Sequence, residues 1–502
     1  MKKVMIIGAG PGGLTAGMLL ARRGFDVSIY EKEPMVGGRN AFLELDGFKH
    51  DIGPTFLMMK FVLDEVFEEA GKKVDEYLEF TRLDPMYRLQ FRDVTVEPSP
   101  DPDKMRRTID RLFPGESAGY DAFMRGEGRR FDLMLPCLQK EYSGLSTFLH
   151  PDFLKALPRL SLGRSMYGQL GKYFRNERLK ISFTFQSKYL GMSPWECPAA
   201  FTIIPYIEHA WGVYHTKGGL SAISQAMARA AAENGAKILT GMKAERVILN
   251  GKKAVGAEFA DGRKEYADEV VLNADFGYAM TKLLPPGSVV KWSRENLMRR
   301  QFSCSTFMLY LNLDKVYDLP HHTILFSEDY KSFIERVTHG PGLPDDLSIY
   351  VRNASVTDPT LAPKGASGLY VLVPVRNNMS GVDWEKEKGP FRDKVLRTIA
   401  ARTGISDLER HIVGEKVLTP ADWENGMNVF LGATFNLAHN LGQMLYFRPR
   451  NKFEELDNCW LVGGGTHPGS GLPTIYESGR ITANMISRRH GVRFVTRNLQ
   501  VS

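Results

Sequence analysis

Three glycines near the start of the chain have the spacing of a phosphate-binding loop. Gly8, Gly10 and Gly13 form a G-x-G-x-x-G pattern, in which the first permits a tight turn, the second lets the backbone approach a pyrophosphate, and the third lets a helix pack closely on a strand. Glu31 follows 23 residues after Gly8, where a carboxylate accepts hydrogen bonds from ribose hydroxyls. The pattern predicts that a dinucleotide cofactor binds here.

The segments around these glycines have the order that such a loop needs. Residues 4–7 are an apolar run typical of a buried strand, and residues 27–30 form a second one. Between them, residues 14–23 form a helix that ends at Gly24 and directs its N-terminus at the phosphates. The predicted cofactor contacts of this unit are Gly8, Gly10, Pro11, Gly12, Gly13, Glu31 and Lys32.

Two further loops favour FAD over NAD. Gly38 gives a second close backbone approach just beyond the ribose carboxylate, and Arg39 beside it supplies a fixed cation. An NAD dehydrogenase has no evident need for this second loop. Gly53, Pro54 and Thr55 then form a rigid turn after a predicted strand. FAD is therefore the expected cofactor.

The size and composition of the chain are those of a folded protein with two to three domains. It has 502 residues, of which 43% are hydrophobic and 25% are charged. No apolar run reaches the ~18 residues that a membrane-spanning helix needs. The four cysteines are far apart and lack metal-ligand spacing, so we expect reduced, buried thiols, a reducing compartment and no metal.

The charge balance is open to two interpretations: scattered surface lysines and arginines, or an anionic partner. The net charge is +7 and the pI is about 9.0, yet no nucleic-acid module or dense basic run is present, so we expect no nucleic-acid partner. Residues 153–175 mix leucines and aromatic side chains with lysines and arginines, as an interfacial helix does, although Pro158 interrupts the pattern. Further arginines lie near the chain end: Arg488, Arg489, Arg493 and Arg497. A membrane surface is the expected partner.

The motifs, taken together, resemble a known family. The segments GAGPGGL (8–14), GGRNAF (37–42), HDIGPTF (50–56) and GTHPGSGLP (465–473) occur in an order similar to that of the bacterial and fungal carotenoid desaturases. These enzymes are a branch of the amine-oxidase-like flavoproteins. The resemblance covers nearly the whole chain, and the closing motif is its most specific part.

The resemblance implies a non-covalently bound FAD that is held from both ends of the chain. It places Arg39 and residues 53–55 along the ribityl chain and flavin ring, and the backbone of Val247 at the adenine. The closing segment would lie over the ribityl chain and ring through Gly464, Gly471, Leu472 and Pro473. The helix that begins there points its N-terminus at the flavin, which favours the anionic reduced form.

The implied fold class is α/β, with domains that are interleaved along the chain. A Rossmann-like FAD-binding domain of the glutathione-reductase type alternates with a sheet-containing substrate domain and a helical, membrane-facing subdomain. The FAD domain is expected to comprise residues 1–92, 218–290 and 452–492. The substrate domain is expected to comprise residues 93–217 and 291–451, with residues 115–185 as the helical, membrane-associated part.

The expected activity is FAD-dependent desaturation of a linear C40 or C30 isoprenoid, of the phytoene or 4,4′-diapophytoene type, in carotenoid biosynthesis. Such an enzyme would lie peripherally on the cytoplasmic face of the membrane and pass electrons to a quinone or to oxygen. A carotenoid isomerase, saturase or end-group oxidase on the same fold is an alternative. Another is a flavin-bearing, membrane-associated binding protein without turnover. The sequence does not indicate an oligomeric state.

Desaturation releases a proton, and three residues are candidates for handling it. Asp152 and Lys155 fall where the resemblance places an acidic residue and an arginine near the substrate channel. Lysine lacks the planar fork of arginine, and Asp152 has the alternative role of a helix cap. Glu208 lies in an otherwise apolar segment, where burial would raise its pKa toward a useful range. A structural carboxylate with a paired partner is the alternative for Glu208.

Overall fold

The computed structural model describes residues 1–496, so Arg497 lies outside the described residues. The strands in this range are β1 (Lys3–Ile7), β2 (Asp26–Tyr30), β3 (Phe42–Leu45), β4 (Phe48–Asp51), β5 (Phe80–Arg82), β6 (Arg88–Gln90), β7 (Thr95–Val96), β8 (Tyr214–Thr216), β9 (Lys237–Leu239), β10 (Ala244–Asn250), β11 (Lys253–Phe259), β12 (Lys264–Tyr266), β13 (Glu269–Leu272), β14 (Ser305–Leu313), β15 (His322–Leu325), β16 (Ile349–Asn353), β17 (Ser367–Val375), β18 (Ile412–Leu418) and β19 (Cys459–Leu461).

The α-helices fall between these strands and cluster in the second hundred residues. They are α1 (Pro11–Arg22), α2 (Lys60–Glu69), α3 (Pro102–Leu112), α4 (Ser117–Leu138), α5 (Pro151–Ala156), α6 (Met166–Leu170), α7 (Glu177–Ser182), α8 (Ile203–Trp211), α9 (Ser221–Glu233), α10 (Phe276–Tyr278), α11 (Arg294–Met298), α12 (Tyr330–Thr338), α13 (Trp384–Thr403), α14 (Pro420–Asn425) and α15 (Leu472–Arg489). Within residues 1–496, no helix combines the length and the apolar character needed to cross a bilayer.

A five-stranded parallel sheet organises the cofactor half of the molecule. Its order is β19-β13-β1-β2-β9, so the first strand of the chain lies at the centre and the last strand at an edge. All residues of β1 except Lys3 are buried, because helices pack on one face of the sheet and the three-stranded sheet β10-β11-β12 packs on the other. Helix α1 packs on this sheet between α9 and α15. Ligands in such folds bind beyond the carboxyl ends of the strands, where the strand order reverses.

A seven-stranded sheet organises the other half, in the order β18-β14-β17-β16-β15-β6-β7. Strand β14 is buried along its whole length and pairs with β17 over nine residues, from Ser305 with Val375 to Leu313 with Ser367. The small strand β6 lies within the predicted FAD segment 1–92, but it pairs with β15 of this sheet. Strand β6 therefore belongs to the seven-stranded sheet.

The helical region forms one side of the molecule, but residues 153–175 are not one helix. They contain the end of α5, a 3-10 turn over Leu157–Arg159 and the short helix α6. Pro158 lies in this 3-10 turn, directly after the end of α5, at the point where the sequence pattern is interrupted. This region exposes several leucines, as described below.

Candidate functional site

A cavity of about 420 Å³ lies between the carboxyl ends of the parallel sheet and the inner face of the seven-stranded sheet. The opening and closing glycine segments both border it, together with the two middle loops. The predicted residues that line it are Gly8, Gly10, Pro11, Gly12, Glu31, Lys32, Gly38, Arg39, Gly53, Pro54, Thr55, Gly464, Gly471, Leu472 and Pro473. The structure thus brings both ends of the chain to one site.

The opening loop is shaped by close backbone packing. Gly8 has φ of 102°, a conformation that favours glycine. Gly13 lies behind the cavity wall, where an added Cβ would stand 2.3 Å from the carbonyl oxygen of Gly8. The Nδ2 of Asn273 donates to the same carbonyl at 2.9 Å, which ties the loop to the neighbouring strand β13. The first amides of α1 consequently face the cavity as an anion-binding helix end.

Glu31 is held in place by backbone amides at the end of β2. It is 5% exposed, its Oε2 accepts from the amide of Ala9 at 2.8 Å, and its Oε1 accepts from the amide of Glu33 at 3.1 Å. Burial raises its pKa, which these two amides partly counteract. Each oxygen retains a further lone pair, so the carboxylate can also accept from ribose hydroxyls. Lys32, next along the cavity wall, pairs with Glu33.

The two middle loops pack against one another along the cavity. An added Cβ at Gly53 would stand 2.5 Å from the carbonyl oxygen of Arg39, so only glycine permits this approach. The Nη1 of Arg39 donates to the carbonyl of Thr434 at 2.8 Å and lies 3.9 Å from a carboxylate oxygen of Asp275. Thr55 accepts a hydrogen bond from the hydroxyl of Tyr350 at 2.8 Å. The guanidinium is therefore fixed beside the cavity.

The closing loop leads into α15, whose first residues border the cavity. Arg448 is fully buried beneath this loop, donates from Nη2 to the carbonyl of Gly464 at 2.6 Å, and donates from Nε to that of Thr466 at 3.2 Å. Burial lowers the pKa of Arg448 to about 9. Arg448 was not among the predicted site residues, because its partners are carbonyl groups of another segment and leave no pattern around the arginine.

The polar groups and the shape of the cavity on the side of the glycine loops fit FAD. A helix N-terminus, a ribose carboxylate, a fixed guanidinium and a second helix N-terminus follow one another along one cavity, as an extended dinucleotide requires. At the adenosine end the lining comes from Met242, Lys243 and Ala244. Val247 is fully buried in the neighbouring core and does not border the cavity. The backbone contact of Val247 with adenine stays a prediction, and Met242, Lys243 and Ala244 are the residues of this segment that line the cavity.

The far half of the cavity is apolar and aromatic. Alternate residues of one sheet face line it, among them Thr306 and Met308 of β14 and Tyr370 and Leu372 of β17. Phe56 closes one side and stacks on the ring of a buried histidine with the two centres 4.2 Å apart. Such a wall binds hydrocarbon through burial rather than through polar contacts.

Glu208 lies behind this wall, with the side chain of Tyr189 between it and the cavity. Its Oε2 accepts from the hydroxyl of Tyr87 and from Nε2 of Gln186, both at 2.8 Å. Complete burial raises the pKa of Glu208 to about 7, although its hydrogen bonds act in the opposite direction. Tyr189, which also approaches the carboxyl group, borders the cavity. Glu208 itself does not line the cavity.

We expect Glu208→Gln to flatten the pH dependence of stability. Because the pKa of Glu208 is raised in the folded state from 4.5 to about 7, its contribution to stability is present in full below about pH 4.5 and is lost as the pH rises through about 7. From about pH 5 to about pH 8, the free energy of unfolding of the variant should rise by about 2 kcal/mol relative to that of the unaltered protein. Urea unfolding at the two pH values measures this. If the free energies of unfolding of the variant and the unaltered protein differ by the same amount at both pH values, the prediction is contradicted.

Asp152 and Lys155 lie away from the cavity. Both belong to α5, where Lys155 is exposed and Asp152 forms an ion pair with Lys140. The hydrogen bond from Lys140 lowers the pKa of Asp152. The side chain of His150, not that of Asp152, accepts from the first amides of the helix, so Asp152 is not the capping residue either. Neither predicted residue is brought to the site.

Comparison with known proteins agrees with this geometry. Residues 11–487 match the family described as flavin containing amine oxidoreductase. The chain is 52% identical over 493 residues to the 4,4′-diapophytoene desaturase (4,4′-diapolycopene-forming) of Methylomonas sp, covering 98% of this chain and 96% of the relative. It is 37% identical to the zeta-carotene-forming phytoene desaturase of Myxococcus xanthus, covering 97% and 94% of the two chains.

Among solved structures, putrescine oxidase bound to putrescine aligns with a TM-score of 0.64 at 15% identity, covering 98% of this chain and 99% of the other. At this identity the likeness shows the fold alone. The matches confirm the predicted fold class, FAD as the cofactor and the predicted family. The chain belongs to the flavin-containing amine oxidoreductases and, among these, is an FAD-dependent carotenoid desaturase.

Proposed function

We propose that the protein introduces conjugated double bonds into a linear C30 isoprenoid of the 4,4′-diapophytoene type. The observation that carries this choice is the identity of 52% to a desaturase of that substrate, against 37% to a desaturase named for phytoene. Both relatives are covered over nearly their whole length.

The cavity accounts for how such a substrate is bound and oriented. Bound FAD would accept two electrons and one hydrogen from the substrate, with Glu31 at its ribose and the closing loop at its ring. The apolar strand faces exclude water from the reacting carbons, and each buried methylene contributes about 0.8 kcal/mol to binding. Arg39 and the N-terminus of α15 stabilise negative charge on the cofactor side. The protein thus excludes water from the site, orients the substrate and places positive charge beside the cofactor.

Coexpression with precursor synthases tests the proposal. In a host that makes 4,4′-diapophytoene, we expect carotenoids whose absorption bands lie at longer wavelength, because each new double bond lengthens the conjugated system. In a host that makes phytoene we expect much less conversion. Unchanged conjugation in both hosts would favour an isomerase, saturase or end-group oxidase. Anaerobic bleaching of the flavin by the precursor separates turnover from mere binding.

We also propose that the enzyme works peripherally on the cytoplasmic face of a membrane, where such hydrocarbons dissolve. Large apolar side chains that are 40–73% exposed lie close together in the helical region: Leu145, Leu149, Leu154, Leu157 and Leu162. Lys155, Arg159 and Arg164 lie among them. Leucines flanked by basic groups suit an anionic lipid surface. Four free cysteines are in keeping with a reducing compartment, and a quinone or oxygen would then reoxidise the flavin.

We expect the triple variant Leu149→Asp, Leu154→Asp and Leu157→Asp to lose vesicle binding by about 100-fold or more. Each buried leucine contributes about 1.5–3 kcal/mol, and a change of 1.4 kcal/mol is tenfold in affinity. Cosedimentation with vesicles that contain anionic lipid measures this. Val290→Asp is the matched control, because Val290 is 73% exposed but lies outside the helical region. An equal loss of vesicle binding in the triple variant and in Val290→Asp would contradict the assignment of this surface.

A further inference from the structure

Among the described residues, one lysine in the wall of the cavity has no carboxylate partner. The other cationic side chains that line the cavity are paired: Lys32 with Glu33, Arg39 with Asp275, and Lys243 with Glu245. Lys188 borders the cavity as well, but within residues 1–496 it forms no ion pair with any carboxylate. It lies in the 3-10 helix Phe185–Leu190, on the apolar side of the cavity.

Aromatic rings surround the amine instead. The Nζ of Lys188 lies 4.8 Å from the ring centre of Tyr330 and 5.4 Å from those of Phe326 and Phe333. Ring faces attract an ammonium group but accept no full hydrogen bond from it. The site can therefore hold either protonation state of the amine without a fixed counter-charge.

Burial has the expected effect on the titration of this group. It lowers the pKa of Lys188 to about 7. The titratable side chains that face it are the Cys304 thiol, directly before β14, and the Tyr330 phenol on α12, and burial raises the pKa of both. These neighbours stay neutral near pH 7, so they do not hold the lysine in its charged form. A large share of the amine then carries a free lone pair.

The wall that carries Lys188 is joined to the closing loop. Cys304 borders the cavity beside Lys188. It follows Ser303 in the segment directly before β14. The Oγ of Ser303 accepts from the amide of Phe435 at 3.1 Å. The carbonyl of Phe435 in turn accepts from the hydroxyl of Ser470 at 2.6 Å. Ser470 belongs to the loop that leads into α15, so these hydrogen bonds join the segment before β14, which contains Cys304, to the closing loop.

We propose that the Lys188 amine is the proton acceptor of the desaturation, an inference that rests on the proposed function. Two neighbouring carbons each lose one hydrogen. One hydrogen leaves with both electrons of its bond to the flavin, which is the oxidant. The electron pair of the second carbon–hydrogen bond becomes the π bond, and its proton binds the Lys188 lone pair. The product is one carbon–carbon double bond and one ammonium group, which the three aromatic rings stabilise.

Glu208, the rival acceptor, does not reach the substrate directly. It lies behind Tyr189 and already accepts hydrogen bonds from Tyr87 and Gln186. Lys188 itself borders the cavity, whereas Glu208 does not. This position on the cavity wall favours Lys188 as the acceptor.

Competitive labelling measures the titration of the amine without any turnover. Flavin-loaded protein is treated with trace 1-fluoro-2,4-dinitrobenzene from about pH 5 to about pH 10, and the Lys188 peptide is quantified by mass spectrometry. We expect half-maximal reactivity near pH 7 for Lys188, whereas ordinary lysines titrate near about 10.4. An ordinary titration of Lys188 would overturn the proposal.

Single-turnover bleaching of the flavin by 4,4′-diapophytoene, without oxygen, then tests the role. We expect Lys188→Met to retain FAD but to bleach at least about 100-fold more slowly, without the rise in rate near pH 7 that the unaltered enzyme shows. Lys188→Arg should behave like Lys188→Met, because its guanidinium retains its proton. Lys331→Met is the matched control, since Lys331 is exposed and lies over the ring of Trp195, which packs on Tyr330.

Rescue separates a catalytic amine from a structural one. Ethylamine should restore part of the bleaching rate of Lys188→Ala and leave the unaltered enzyme unchanged. If Lys188→Met keeps the normal rate and pH profile, the inference is overturned and the proposed function stands. If the unaltered enzyme itself does not bleach with this substrate, the proposed function is wrong and the inference fails with it.

Discussion

Gly13→Ala should purify with little or no FAD. The added Cβ would stand 2.3 Å from the carbonyl oxygen of Gly8 and 2.8 Å from Nδ2 of Asn273, and backbone atoms cannot yield as the end of a side chain can. The start of α1 must therefore move away from β1, which takes its amides away from the pyrophosphate. Overpacking of this kind costs about 1–3 kcal/mol, or about 10–100-fold in cofactor affinity.

Flavin absorbance per protein and a titration of the apoprotein with FAD measure this loss. Gly389→Ala is the matched control: Gly389 lies inside α13, and apart from its chain neighbours no described atom stands within 4 Å of the position that its Cβ would take. Alanine before Pro390 changes only the helix locally and should leave FAD binding unchanged. Normal flavin content in Gly13→Ala would show that the loop does not hold the pyrophosphate in the way described.

Asp51→Asn should produce the largest loss of stability. Asp51 and Arg352 form an ion pair at 2.8 Å with both side chains only 3% exposed. The same carboxylate accepts from the amides of Leu220 and Ser221 at the start of α9, at 3.0 and 2.9 Å. The substitution leaves a buried guanidinium without its counter-charge and weakens a helix cap. Breaking such a pair costs about 3–5 kcal/mol.

Chemical unfolding of the flavin-free protein checks this value. Glu79→Gln is the control, because Glu79 and Lys217 form a pair whose side chains are 75% and 56% exposed, and exposed pairs contribute about 0–1 kcal/mol. Arg352→Met should cost less than Asp51→Asn, since Asp51 keeps its two amide donors. A loss below about 1 kcal/mol for Asp51→Asn would show that the pair is not buried as described.

Short-range features of the site could be predicted from the sequence because their causes are local. The turn at Gly8, the helix after Gly13 and the carboxylate at Glu31 all arise within one strand-helix-strand unit, where residue type and spacing determine the geometry. The closing segment 463–473 was recognised through resemblance, since nothing local relates it to the first loop. The structure brings the two together through the parallel sheet.

The rest of the site depends on packing between distant segments. Lys188 and Cys304 are 116 residues apart, and neither lies in a pattern that indicates chemistry. Arg448 donates to carbonyl groups, which every residue possesses, so no residue type marks its partners. Asp152 and Lys155 illustrate the converse: their place in the sequence resembles that in the related desaturases, but the orientation of the short helix α5 directs them to Lys140 and to solvent. Orientation of this kind is a tertiary property.

The edge position of β19 has a consequence for how the protein is made. The parallel sheet that begins with residue 3 is complete only when Cys459–Leu461 joins β13, and α15 follows later still. Ribosomes add about 5–20 residues per second, so about 20–90 s pass between Gly13 and Pro473. During that interval only the opening half of the flavin site exists, and from Leu272 onward the edge of β13 that β19 will cover has no partner strand. Both walls of the cofactor cavity are therefore present only when synthesis is almost finished.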